Sequence, residues 1–107
     1  MINVDKNNWH QEVMESKTPV LVDFYATTCG PCRAVAPMLD RLSTSRQDVK
    51  FCKIEAGDCP EIFAEHGVGR VPTFILFKEG KEVDRQGGGW WTEKEMNEWI
   101  SQKGTNS

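Results

Sequence analysis

Apolar positions along this chain repeat with two periods, about every second residue and about every third or fourth, and the two kinds of segment alternate. Residues 6–15 predict a short helix, with Trp9 and Val13 four apart on one face and Thr18-Pro19 breaking the pattern. Residues 20–26, "VLVDFYA", are β-branched and aromatic and apolar on both faces except at Asp23, as suits a central strand covered on both sides. From Cys32 to about Ser45, Val35, Met38, Leu39 and Leu42 follow the i, i+3, i+4, i+7 spacing of an amphipathic helix, with Pro37 inside it to remove one backbone bond. Residues 49–55, "VKFCKIE", alternate as a strand with Val49, Phe51 and Lys53 on one side. Residues 60–66 form a short helix that opens on proline and stops at Gly67.

Residues 73–78 and 81–86 flank Glu79-Gly80, the two-residue signal of an antiparallel hairpin. A last helix runs from Glu93 to about Lys103 with Met96, Trp99 and Ile100 inward. Its start is marked by a capping box of Thr92 and Glu95, with Trp91 placed to pack on Met96 as a hydrophobic staple. Residues 104–107 read as a frayed tail. Strand, helix, strand, helix, hairpin, helix predicts an α/β domain over 1–107, a mixed sheet with helices on both faces.

Composition narrows the function. One core fits in 107 residues, and the apolar (38%) and charged (27%) shares are those of an ordinary globular chain. A net charge of −3, with Lys and Arg scattered, argues against nucleic acid as a partner. No stretch is long and apolar enough for a bilayer span and no apolar leader is visible, so the expectation is a cytoplasmic protein with no membrane partner. In that reducing setting, cysteines at 29, 32, 52 and 59 serve catalysis or metal binding more readily than a structural disulfide framework.

The chemistry centres on Cys29-Gly30-Pro31-Cys32. Cys29 lies where a strand ends and Cys32 in the first turn of the next helix, where unpaired N–H groups and the helix dipole stabilise a thiolate. Gly30 permits the tight turn, and Pro31 suits a helix opening. The competing reading, half of a zinc site, needs a second ligand pair. Cys52 and Cys59 are six residues apart, His66 is seven beyond Cys59, and His10 is remote, so the redox reading is favoured. Cys52, within a strand, is expected to be a buried thiol, and Cys59, in a loop entering a helix, reads as an idle thiol in preference to an exposed one that forms a regulatory or intermolecular disulfide.

These residues resemble the thioredoxin family. The chain carries its Cys-Gly-Pro-Cys at 29–32, the preceding strand with inward Asp23, the stretch "GRVPTFILFKEGKEV" at 69–83, Pro37, Gly80 and Gly88, so the resemblance spans residues 4 to 103. It implies a thioredoxin fold, a central mixed β-sheet flanked by helices on both faces. It also implies a thiol–disulfide oxidoreductase that reduces protein disulfides, needs no bound cofactor, acts as a monomer and is itself reduced by a thioredoxin reductase. Cys29 would attack a substrate disulfide, Cys32 would resolve the mixed disulfide, and buried Asp23 would take the Cys32 proton, with Lys53 as its electrostatic partner. Pro72 would follow a cis bond, and Thr28, Gly30, Pro31, Arg70, Val71, Pro72 and Gly88 would form the substrate-facing surface.

The chain departs from the family where Thr28 replaces the usual tryptophan before the first cysteine and Tyr25 another on the preceding strand. Arg70 adds a cation beside the groove, either solvated or selecting acidic substrates or a particular reductase, and Trp90 is a candidate replacement platform. Two alternatives stand beside the reductase: a more oxidising isomerase or oxidase of the same fold, and a binding subunit. Gly-Pro between the cysteines argues against the first, and the retained cysteines and Asp23 against the second as a sole role.

Overall fold

A computed structural model describes residues 1–88 and 91–105. The apolar run expected as a central strand is one: β2 (Val20–Tyr25) lies in the middle of a five-stranded sheet. Around it stand β1 (Ile2–Asn3), β3 (Lys50–Glu55), β4 (Thr73–Lys78) and β5 (Lys81–Gly87), in the order β1-β3-β2-β4-β5. β2 pairs in parallel with β3 and antiparallel with β4, which makes the sheet mixed.

Because side chains alternate across a strand, β2 divides its apolar residues between two faces. Val20, Val22 and Phe24 enter one core, with Cys52 and Ile54 of β3 and Ile75 and Phe77 of β4. That core is covered by α2 (Pro60–Glu65) and by the N-terminal helical segment, through Ile62, Phe63, Trp9 and Val13. Leu21 enters the other core, with Phe51, Phe74 and Leu76 beneath α1 (Gly30–Ser45) and α3 (Glu93–Trp99). The spacing of Val35, Met38, Leu39 and Leu42 accounts for the α1 contribution to this second core. Burying a residue such as Leu39, with no exposed surface, contributes about 1.5–3 kcal/mol.

Local chemistry fixes the ends. Glu79 (φ 52°) and Gly80 (φ 78°) are both left-handed, as a two-residue hairpin with the sheet's twist requires. Gly80 is further constrained, since a Cβ there would stand 2.7 Å from the Met14 carbonyl oxygen. The capping box of α3 is formed in both directions, Glu95 N–H to Thr92 Oγ1 at 3.0 Å and Thr92 N–H to Glu95 Oε1 at 2.9 Å. Trp91 packs on the core that contains Met96, its ring 6.1 Å from that of Trp99.

The structure corrects three expectations and adds one strand. The first helix does not begin at residue 6: a turn precedes Trp9, and His10–Met14 is π-helical. Asn8 and Asp5 cause this, because their side chains accept from the backbone N–H groups of Asp5 and Asn7 and hold a turn in place of a helical start. α1 begins at Gly30, two residues before the expected start, with Cys29 as its cap. The C-terminal helix does not fray at 104: it continues from α3 as a π-helix over Ile100–Thr105, and Gly104 is buried against Leu76. Strand β1 had no sequence signal, since Ile2 and Asn3 are exposed and join the sheet through backbone pairing with Cys52 and Lys53.

Candidate active site

The end of β2 after Tyr25 leads through a short turn, in which the Cys29 N–H donates to the Ala26 carbonyl at 3.2 Å, into α1. Cys29 is extended (φ −89°, ψ 114°) and caps the helix, its Sγ accepting from the Cys32 N–H at 3.1 Å. The helix N-terminus thus directs an unpaired amide at the outer sulfur, the interaction that stabilises negative charge there. The two cysteines are joined as a disulfide, their Cα atoms 5.2 Å apart. Cys29 is half-exposed whereas Cys32 is 3% exposed, so the pair has an outer and an inner sulfur. Thr28, Gly30 and Pro31 are exposed around Cys29.

Asp23 shares the α1 face of the sheet with Leu21, by the same parity that sends Val22 and Phe24 the other way. It is buried, and its Oδ1 has no hydrogen-bond partner among the described residues. Burial raises its pKa from 3.8 to about 7, against a smaller opposing pull from Lys53. Lys53 occupies the register position beside Asp23 on β3, and its ammonium lies 5.8 Å from the centre of the Tyr25 ring. Asp23, Lys53, Tyr25, Arg33 and Ala36 line an open pocket of about 220 Å³ that also reaches Cys32. The inner cysteine and the buried carboxyl therefore share one solvent-accessible cleft.

A second segment emerges at the same end of the sheet. Phe24 of β2 is paired with Thr73 of β4, and Thr73 with Gly87 of β5, so residues 70–72 and 87–88 lie at the end from which the cysteine turn departs. The Val71–Pro72 bond is cis. Pro72 is buried, Val71 half-buried and Arg70 exposed. Thr73 Oγ1 donates to the Arg70 carbonyl at 2.7 Å. The Gly88 N–H donates to the Pro72 carbonyl at 2.8 Å, and Gly88 adopts φ 58°. Trp91 Nε1 closes the arrangement on the Gly88 carbonyl at 3.1 Å. Trp90, the suggested replacement platform, lies outside the described residues.

The other two cysteines lie elsewhere. Cys52 and Cys59 are free thiols in the core on the sheet face away from α1, at 0% and 1% exposure. The exposed alternative for Cys59 is thus removed: as the residue that opens α2 it turns under the helix into the core. Burial pushes the Cys52 thiol up to about 12 and raises that of Cys59, so neither is a ready nucleophile. Sequence reasoning had not linked Ala36 or Thr73 to the site. The signals present were a small residue one turn after Cys32 and a hydroxyl directly after Pro72.

Comparison with known proteins agrees with this geometry. A family model described as Thioredoxin matches residues 1–102. The chain is 39% identical over 100 residues to "Thioredoxin" of Rickettsia typhi, covering 92% of this chain and 94% of that one. It is 45% identical over 75 residues to "Thioredoxin 1" of Synechococcus elongatus, covering 69% and 70% of the two chains. With "Thioredoxin M-type, chloroplastic" of Triticum aestivum it shares 40% identity over 85 residues, 78% of this chain and 49% of the wheat protein, so the match spans about half of that relative's length.

Proposed function

The chain belongs to the thioredoxin family and carries that family's dithiol–disulfide pair at Cys29 and Cys32; from this premise we propose that it is a protein-disulfide reductase. In the dithiol form, Cys29 attacks one sulfur of a substrate disulfide as thiolate, forming a mixed disulfide and releasing the other substrate sulfur as thiolate. Cys32 then gives its proton to the Asp23 carboxylate and attacks the Cys29 sulfur. The Cys29–Cys32 disulfide forms, the mixed disulfide breaks, and the second substrate thiolate leaves. Two electrons have passed from the protein to the substrate.

The observation that carries this reading is the juxtaposition of an inner cysteine with a buried, unpartnered carboxyl in one cleft. A carboxyl that titrates near neutrality both accepts and returns a proton at working pH. Lys53 moderates how far burial suppresses ionisation. The exposed residues Thr28, Gly30 and Pro31, with Arg70, Val71, Pro72 and Gly88 at the same end of the sheet, form the face offered to substrate. An extended substrate segment laid beside Val71 would be held by backbone hydrogen bonds, as in strand addition.

Reduction by a thioredoxin reductase, action in the cytoplasm as a monomeric electron carrier, and organisation of 1–107 as one domain belong to the same proposal. No helix among the described residues is long and apolar enough to cross a membrane. The test is the midpoint potential of the pair in thiol–disulfide buffers, with Cys29→Ser as control. Thioredoxin's own benchmark is about −270 mV, against about −180 and −120 mV for its more oxidising isomerase and oxidant relatives. A value near the first supports an electron donor to protein disulfides. A value near the last two replaces it with an isomerase or oxidase, and the absence of a two-electron couple removes the redox reading.

A further inference from the structure

Beside the Val71–Pro72 segment lies a second pocket, of about 420 Å³, between the 67–70 loop and Thr73, Arg85 and Gly87 of the hairpin. Two guanidinium side chains reach it, and their situations differ. Arg85 is engaged: its Nε and Nη2 donate to both Glu82 carboxylate oxygens at 2.6 and 2.7 Å, and Nη2 also donates to the His66 carbonyl at 2.6 Å. Its charge is neutralised and its side chain pins the loop to β5, so it serves as a wall. Arg70 is exposed and has no carboxylate within ion-pair distance among the described residues.

The surroundings of Arg70 prepare it for a ligand. Thr73 Oγ1 holds its carbonyl at 2.7 Å, which orients the backbone. Its stem runs beside Gly87, where an added Cβ would stand 4.0 Å from the Arg70 Cδ, at ordinary contact distance. Among the described residues, no acidic side chain lines the pocket. In a chain of net charge −3, this is a local cationic recess one residue from Val71.

We propose that Arg70 is a specificity-determining residue: its guanidinium, in the recess walled by Arg85 and Gly87, takes the carboxylate of an Asp or Glu that flanks the attacked cysteine of a protein substrate. The proposal rests on the reading of the chain as a disulfide reductase and names the substrate class which that site selects. The overall negative charge disfavours acidic partners at a distance, and the recess restores attraction only where the acidic side chain sits in register with the disulfide.

The experiment measures kcat/KM for disulfide-bonded peptides of one sequence carrying Glu, Gln or Lys at each position flanking the attacked cysteine in turn. At low salt, one position is expected to show Glu over Lys by about five-fold, the scale of a solvent-exposed ion pair. The preference is expected to vanish in Arg70→Gln, to invert in Arg70→Glu and to collapse in high salt. It is expected to persist in Arg41→Gln, which removes a cation that is paired with Glu93 and does not line the recess. Equal rates for Glu and Lys peptides at every position, or a preference that survives Arg70→Glu, overturn the proposal while leaving the reductase intact. Failure to reduce any peptide, whatever its charge, overturns the reductase reading and this proposal with it.

Discussion

Replacing Asp23 by asparagine should stabilise the protein, and by an amount that grows with pH. The folded chain holds the Asp23 proton up to about pH 7, whereas the unfolded chain releases it near 3.8. Between those values the folded state binds one more proton than the unfolded state, so stability falls as pH rises through this window and levels off above it. At about 1.36 kcal/mol per pH unit, the raised pKa costs the fold about 1.6 kcal/mol at pH 5 and about 4 kcal/mol at pH 8.5. Asparagine keeps the shape and does not titrate. Its buried amide carries a cost of its own, because the Oδ1 position has no partner, but that cost is the same at both pH values and cancels in the comparison. Urea unfolding of both oxidised proteins at pH 5 and pH 8.5 should therefore show the variant's advantage rising by about 2.5 kcal/mol between the two conditions. An advantage that is the same at both pH values would refute the reasoning, since the carboxyl would then not be held protonated by the fold.

Three further outcomes follow from the geometry. Gly80→Ala combines a left-handed φ with a Cβ placed 2.7 Å from the Met14 carbonyl oxygen, and thermal unfolding should show a loss of about 2 kcal/mol or more. Thr92→Ala removes one half of the α3 capping box; denaturant titration should report a loss of about 1 kcal/mol, whereas Thr92→Ser, which keeps the capping hydroxyl, should show none. Native oxidised protein should resist thiol alkylation, because Cys52 and Cys59 are at 0% and 1% exposure, and should take up label at both only once unfolded; mass spectrometry counts the additions.

What the sequence discloses about this fold is whatever a local pattern can carry. The apolar runs of β2 and β4 and the alternation of β3 locate those strands to within a residue, and the Thr92–Glu95 pair marks the start of α3. The cysteine pair and Asp23 are legible for the same reason: two sulfurs three residues apart at a helix start, and one carboxyl in an otherwise apolar strand. The bend at Pro72 and the placement of Gly88 are legible only through family resemblance. Features built from distant segments leave no such trace. β1 joins the sheet through backbone alone, Gly104 is buried because Leu76 approaches it, and Cys59 turns inward beneath a helix. The Arg70 recess depends on Arg85 reaching the His66 carbonyl across 19 residues of sequence, a contact that no periodicity encodes.

The alternation of β2 also limits how the gene for this chain can change in length. Because one residue exchanges the two faces, deleting a single codon between Val20 and Val22 would swing the Asp23 carboxyl in among Trp9, Phe24's neighbours and Phe63, and would send an aromatic ring toward the cysteine cleft. Deleting two codons restores the faces at the expense of strand length. Length changes inside this strand are therefore tolerable only in even steps, whereas the exposed Gln47-Asp48 turn that leads into β3 can absorb them one at a time.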